Sequence, residues 1–109
     1  MDLPTPIQAF IDTTNRADTE AFVAAFTTDA PLEDWGRNFT AHDGIRTWNR
    51  TDNIGKNTRF ELVDWRQTAA DTYTVELQVA GDGYNGTGPM EFTLDGDRIA
   101  RLIISDSVG

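Results

Sequence analysis

The chain has 109 residues, 39% of them apolar and 25% charged, which is enough for one domain with a single core and excludes wholesale disorder. Eighteen acidic against nine basic residues give a net charge of −9, the wrong sign for a nucleic-acid partner, whose phosphates require a basic footprint. No apolar run approaches the roughly 20 residues of a membrane-spanning helix, so a membrane partner is not expected either.

In chain order, Thr5-Pro6-Ile7-Gln8 opens a first helix, with Thr5 as N-cap, Pro6 at the first helical position and Gln8 at capping-box spacing. Ile7, Phe10, Ile11 and Thr14 recur at helical spacing as one buried stripe. Asn15-Arg16-Ala17 breaks the helix, and Asp18 caps a second one whose core face is Phe22, Ala25 and Phe26. Thr28 to Pro31 stops that helix, and Leu32 to Trp35 predicts a short strand carrying Glu33 and Asp34. Gly36-Arg37-Asn38 turns the chain. Thr40 and Asp43 then stand at capping-box spacing before a third helix through Ile45 and Trp48, with Gly55 as its C-terminal stop.

From Thr58 the apolar period falls to two. Phe60 to Trp65 predicts a strand apolar on both faces, whereas Tyr73, Val75, Leu77 and Val79 mark a strand with one apolar face. Asp82 to Gly88 is a glycine-rich hairpin loop; its glycines lie between two strands, not between strand and helix, so it is no phosphate cradle. Met90, Phe92 and Leu94 form the next strand, Asp95-Gly96 a tight turn, and Ile99 to Ser105 a last strand whose Leu102, Ile103 and Ile104 read as buried on both sides. Helices first and hairpin-linked strands last predict an α+β domain over residues 1–109 with an antiparallel or mixed sheet. Strands apolar on both faces need two coverings, the helices on one side and a second subunit on the other, so a homodimer through the sheet is expected.

The absence of cysteine removes disulfides, thiolate nucleophiles and cysteine metal sites, and a single histidine cannot supply a two-imidazole site. Neither a metal nor a cofactor is expected. The N-terminus MDLPTPIQAF lacks the basic start and apolar stretch of a secretory signal, which makes a cytoplasmic location the expectation and the Asn-x-Thr triplets at Asn38, Asn49 and Asn85 chance matches.

This order of elements, with AFVAAFTTDAPLEDWG followed by a GIRTW helix, resembles the nuclear transport factor 2-like superfamily, in particular its SnoaL-like members. The resemblance covers nearly the whole chain. It implies a cone-shaped roll, a curved sheet wrapped around three N-terminal helices, usually paired as dimers. The superfamily hosts isomerases, cyclases, hydrolases and non-enzymes, so the fold alone names no reaction. Its ketosteroid isomerase pattern places a general-base Asp on the short strand after the second helix, and Leu32-Glu33-Asp34 puts Asp34 there. The family's oxyanion tyrosine falls on Phe10 and its protonated acid near Met90 or Glu91. Phe10 donates no hydrogen bond, and such donors are each worth about 3–4 kcal/mol of barrier, so steroid isomerisation is not expected.

Two readings of function stand side by side. In one, Asp34 is a general base and His42 or a Trp N–H a proton donor for cofactor-free acid/base chemistry on a hydrophobic small molecule, in a pocket lined by Phe10, Trp35, Trp48, Met90 and Asp106. In the other, the chain is a non-catalytic ligand-binding or dimerisation module. Each residue also has a plain role: Asp34 paired with Arg37, His42 at a helix end, the tryptophans in the core, and Asp52, Asp64 and Asp106 in solvent. Among the tryptophans, Trp48 is the one expected to face a cavity.

Overall fold

The computed structural model describes residues 3–105. Three helices, α1 (Thr5–Asn15), α2 (Thr19–Ala24) and α3 (Ala41–Asp52), are followed by a 3₁₀ turn at Ile54–Lys56. Six strands run in the order β2-β1-β6-β5-β4-β3, namely β1 (Pro31–Asp34), β2 (Arg37–Thr40), β3 (Arg59–Ala69), β4 (Thr72–Ala80), β5 (Gly86–Asp95) and β6 (Arg98–Ile104). All pairs are antiparallel except β1–β6, so the sheet is mixed and, with two free edges, not closed. The architecture is the expected α+β roll, with one strand more than the sequence suggested. β2 lies where a turn and a helix cap were expected, because the reversal is compressed into Trp35-Gly36, both left-handed (φ 52° and 85°), a hairpin geometry that matches the sheet's twist.

The helix signals are partly confirmed. Asp18 caps α2, its side chain accepting from the Ala21 N–H at 3.2 Å. Thr5 does not cap α1: Pro4 takes that position without any side-chain bond, and the helix begins at Thr5 itself. Thr40 stands at the N-cap of α3, but its hydroxyl makes no capping bond. Gly55 acts beyond the helix end. A Cβ there would lie 1.6 Å from the Arg50 carbonyl oxygen, so glycine is what lets the 3₁₀ turn fold back against α3.

Strand alternation sends one set of side chains inward. Leu32, Leu102 and Phe92 are neighbours across β1, β6 and β5, and all three are fully buried. On the opposite face, neighbouring Glu33, Ile103, Glu91 and Thr74 present mostly polar groups, as do Glu76, Gln78 and Arg101. The sequence premise that the strands are apolar on both faces therefore fails. In β3 a bulge between Leu62 and Asp64 shifts the phase, bringing Leu62 and Trp65 to the same side and leaving Val63 53% exposed. In β6 Ile99 and Leu102 are fully buried, but of the run Leu102-Ile103-Ile104 the last two are only half-buried. The outer face supplies no apolar reason for a second subunit.

The core is aromatic. Phe10 sits at its centre, with ring centroids at 5.3 Å from Phe22, 6.3 Å from Phe26, 5.1 Å from Phe92 and 5.2 Å from Phe60.

Candidate functional site

β1 alternates Leu32 in, Glu33 out and Asp34 in, and the parallel register sets Asp34 beside Ile104 of β6. The two-residue turn brings Arg37 directly opposite Asp34 in the hairpin. Its guanidinium lies 2.7 Å from Asp34 Oδ2. α3 passes over this end of the sheet and presents Trp48 and Asp52, four residues apart and so on one helical face. Trp48 Nε1 donates to the same Asp34 Oδ2 at 2.9 Å, and Arg37 donates to Asp52 at 3.0 and 3.4 Å. Hydrogen bonding to Asp52 holds Arg37 above its ordinary pKa, opposed next by partial burial and helped by the charges of Asp52 and Asp34. Asp34 Oδ2 thus takes two donors, while Oδ1 receives no hydrogen bond from the described residues.

Asp34 is part of the wall of a cavity of about 380 Å³ that opens to solvent. Phe60, Val79, Met90 and Ile104 form the sheet side and Trp48 the helix side, so the walls are mainly apolar. Trp35 and Tyr84 lie at the rim, 54% and 48% exposed, with their rings edge to face at 6.2 Å. The Asp34–Arg37–Asp52 cluster occupies one side of the same opening.

The structure brings Asp34, Trp35, Trp48 and Met90 together on this cavity. Phe10 is not on its wall; it lies one layer beneath, stacked against the lining rings of Phe60 (16°) and Trp48 (21°). His42 is likewise elsewhere. It is in the first turn of α3, with Nε2 3.0 Å from the Phe26 carbonyl oxygen, and shares no contact with Asp34. Asp106 lies outside the described residues. Asp52, read from sequence as a solvated acid, belongs to the arginine cluster; Asp64 instead accepts from the Trp65 N–H on the exposed bulge. Asn53, Phe60, Val79 and Tyr84 were not singled out for the cavity, although the i, i+4 spacing of Trp48 and Asp52 was a usable signal for that face of α3. Among the described residues no three His, Asp or Glu side chains converge as metal ligands.

No family model and no curated protein sequence matches the chain. Solved structures do. A proposed polyketide cyclase from Sinorhizobium meliloti is 29% identical over 96% of this chain and 97% of its own, with a TM-score of 0.86. A Mycobacterium tuberculosis protein in complex with estradiol-17β-hemisuccinate superposes with a TM-score of 0.81 at 10% identity, covering 94% of this chain and 92% of that one. An NTF2-like protein of Cytophaga hutchinsonii superposes over 95% and 90% of the two chains at 9% identity and a TM-score of 0.78. The chain has the fold of the nuclear transport factor 2-like proteins. Within this nuclear transport factor 2-like roll, the cavity lies between the inner face of the sheet and the C-terminal half of α3. No helix among the described residues is long and apolar enough to cross a membrane.

Proposed function

We propose that this is a small-molecule-pocket protein whose cavity takes a neutral, largely apolar ring compound carrying a hydrogen-bond donor, docked against Asp34. The observation that carries the reading is the half-used carboxylate: Arg37 and Trp48 hold Oδ2 in place, and Oδ1 remains to accept from a ligand in an otherwise apolar cavity. A volume of about 380 Å³ falls within the range for small-molecule sites. The cluster of two aspartates and one arginine, in a chain of net charge −9, disfavours anionic ligands. That a superposable Mycobacterium protein has been crystallised with estradiol-17β-hemisuccinate supports the apolar ring system only, since the hemisuccinate carries a free carboxylate.

The test is thermal unfolding against a panel of steroids, polyketide-like aromatics and terpenoids. Ligand at a hundredfold excess over its dissociation constant stabilises the folded state by about 2.7 kcal/mol, a shift of several degrees in Tm. Asp34→Asn should reduce the shift for hydroxylated compounds and spare that for their deoxy analogues. A flat response across the panel would overturn the reading.

A second reading, catalysis, is favoured by the 29% identity to the proposed cyclase. Here Asp34 Oδ1 takes a proton from a carbon or water of the bound molecule. With His42 remote from the cavity, the same carboxyl group would have to return it. Turnover of any panel compound abolished by Asp34→Asn, in a protein that still binds and folds, supports this reading; unchanged turnover removes Asp34 from the mechanism. A homodimer through the sheet is part of the same proposal, with Arg66 and Arg101 pairing against Glu76 and Glu91 across the charged outer faces. Sedimentation at micromolar concentration in low and high salt tests it, and a monomer in both would remove it.

A further inference from the structure

Four large apolar side chains stand exposed among the described residues, and two of them, Trp35 and Tyr84, touch each other at the cavity mouth. Neither contributes to the core. They arrive from different elements, Trp35 from the β1–β2 turn and Tyr84 from the loop between β4 and β5. Trp35 has φ 52°, in the left-handed region that disfavours a bulky L side chain. Asn-Gly is the favoured pair for such a turn, so the backbone alone would prefer Asn ahead of Gly36. The Trp35 N–H donates to the Ile104 carbonyl at 3.0 Å, a bond that any residue but proline keeps. The hairpin therefore does not need the indole. A strained residue held at a cavity mouth points to function.

The Tyr84 loop is likewise braced without its phenol. Asn85 Oδ1 accepts from the Gly81 N–H at 3.1 Å, and Nδ2 donates to the Gly81 and Gly83 carbonyls at 2.9 and 3.2 Å. The Asp82 N–H donates to the Lys56 carbonyl at 2.8 Å, and its carboxylate accepts from Asn57 Nδ2 at 2.7 Å. Gly86 leaves room for the ring, since a Cβ there would lie 2.7 Å from Tyr84 Oη. We infer that Trp35 and Tyr84 form an aromatic bracket that takes the solvent-side ring of the ligand by its π-face, making the cavity selective for planar aromatic rings over saturated ones. The inference rests on the pocket reading above and narrows its compound class. Contact between aromatic rings adds attraction beyond the area it buries, whereas a saturated ring gains from area alone.

The test compares 4-phenylphenol with 4-cyclohexylphenol, which share the hydroxyl for Asp34 and differ only in the outer ring. Burial of area alone would leave the two equal or favour the cyclohexyl compound. Calorimetry on the parent chain should instead give roughly fivefold tighter binding of 4-phenylphenol. In Trp35→Asn the ratio should fall to about one while Tm stays at or above that of the parent, a combination that a merely structural tryptophan would not give. Tyr84→Ala should lower the ratio, and Tyr84→Phe, which keeps the ring, should preserve it. In ¹⁵N-labelled protein the indole signal missing from Trp35→Asn should move with 4-phenylphenol. Equal or reversed affinities in the parent, or a ratio unchanged in Trp35→Asn, would overturn the bracket while the pocket reading stands. Should only larger compounds of the panel bind, the same ratio is read between an aromatic member and its ring-saturated form. If nothing in the series or the panel binds, the pocket reading falls and the bracket with it.

Discussion

The two ends of the interior use the same sheet and the same helix layer, yet one is filled and the other is hollow. At the filled end Phe10, Phe22, Phe26 and Phe92 are all fully buried, tilted or edge-on to one another. At the hollow end Phe60, Met90 and Ile104 face a cavity with Asp34 on its wall. The difference lies in where the helices stop. α1 ends at Asn15, whose side-chain amide clamps the backbone of Phe60 at both its N–H (2.7 Å) and its carbonyl (2.9 Å). α2 and α1 deliver large apolar side chains only up to that line. Beyond it α3 and its C-cap cover the sheet, with Trp48, Asp52 and the C-cap residue Asn53 on the cavity wall. A pocket here is what remains when a layer of packing ends before the sheet does.

The largest predicted effect tests that division. Phe10→Ala empties a sealed site and should cost about 3–5 kcal/mol, lowering Tm by more than about 10 °C. Met90→Ala, also buried but on the cavity wall, opens into an existing hollow and adds no sealed void. It should cost about 1–3 kcal/mol, mostly the transfer term. Equal losses in calorimetric unfolding would mean that the hollow end is closed in solution.

How far the sequence reveals this follows from what periodicity can encode. The helical stripe of Ile7, Phe10 and Ile11 and the alternation of Val75, Leu77 and Val79 identify inward faces, and all six are buried. Periodicity gives direction but not depth, so it could not separate Phe10 beneath the wall from Trp48 on it. β2 was hidden because its turn places a tryptophan, not Asn or Gly, in the first left-handed position. The bulge in β3 disguised one inward face as two by changing phase at Val63. The base-position carboxylate was legible on β1, but not its partners beyond Arg37. Asp52 and Asn53 join the site through a helix packed across the sheet, and no local pattern records that.

An intermediate effect separates packing from polarity within one side chain. Trp48→Phe keeps a ring against Phe10 and Phe22 but removes the donor to Asp34 Oδ2. It should cost about 1–2 kcal/mol, less than Phe10→Ala although it also alters a buried aromatic. In the ligand panel the variant should lose affinity mainly for hydroxylated compounds, because Asp34 is held by Arg37 alone. If it loses affinity equally for deoxy analogues, Trp48 serves the cavity as apolar wall only.

The smallest effects compare two arginines, one at each end. Arg46 binds Glu20 across α3 and α2 with two bonds of 2.6 and 2.9 Å, better geometry than Arg37 achieves with Asp52. The Glu20 side chain is 76% exposed, however, against 26% for Asp52 and 13% for Asp34, and exposed ion pairs contribute little. The Arg46 hydrogen bonds, then its charge, hold Glu20 below its ordinary pKa. A carboxylate lowered on folding adds stability above its unfolded range, about pH 4–5, and that contribution disappears as pH falls through the lower folded value. The Tm difference between the parent chain and Glu20→Gln should therefore be small and constant above about pH 5 and vanish as pH falls through the lowered folded pKa. It should also fade in high salt. Asp52→Asn should cost more at neutral pH, because it leaves the Arg37 guanidinium with Asp34 alone. If Glu20→Gln proves the more damaging, exposure is not what ranks the two clusters, and the hollow end is no more electrostatically organised than the surface of the filled one.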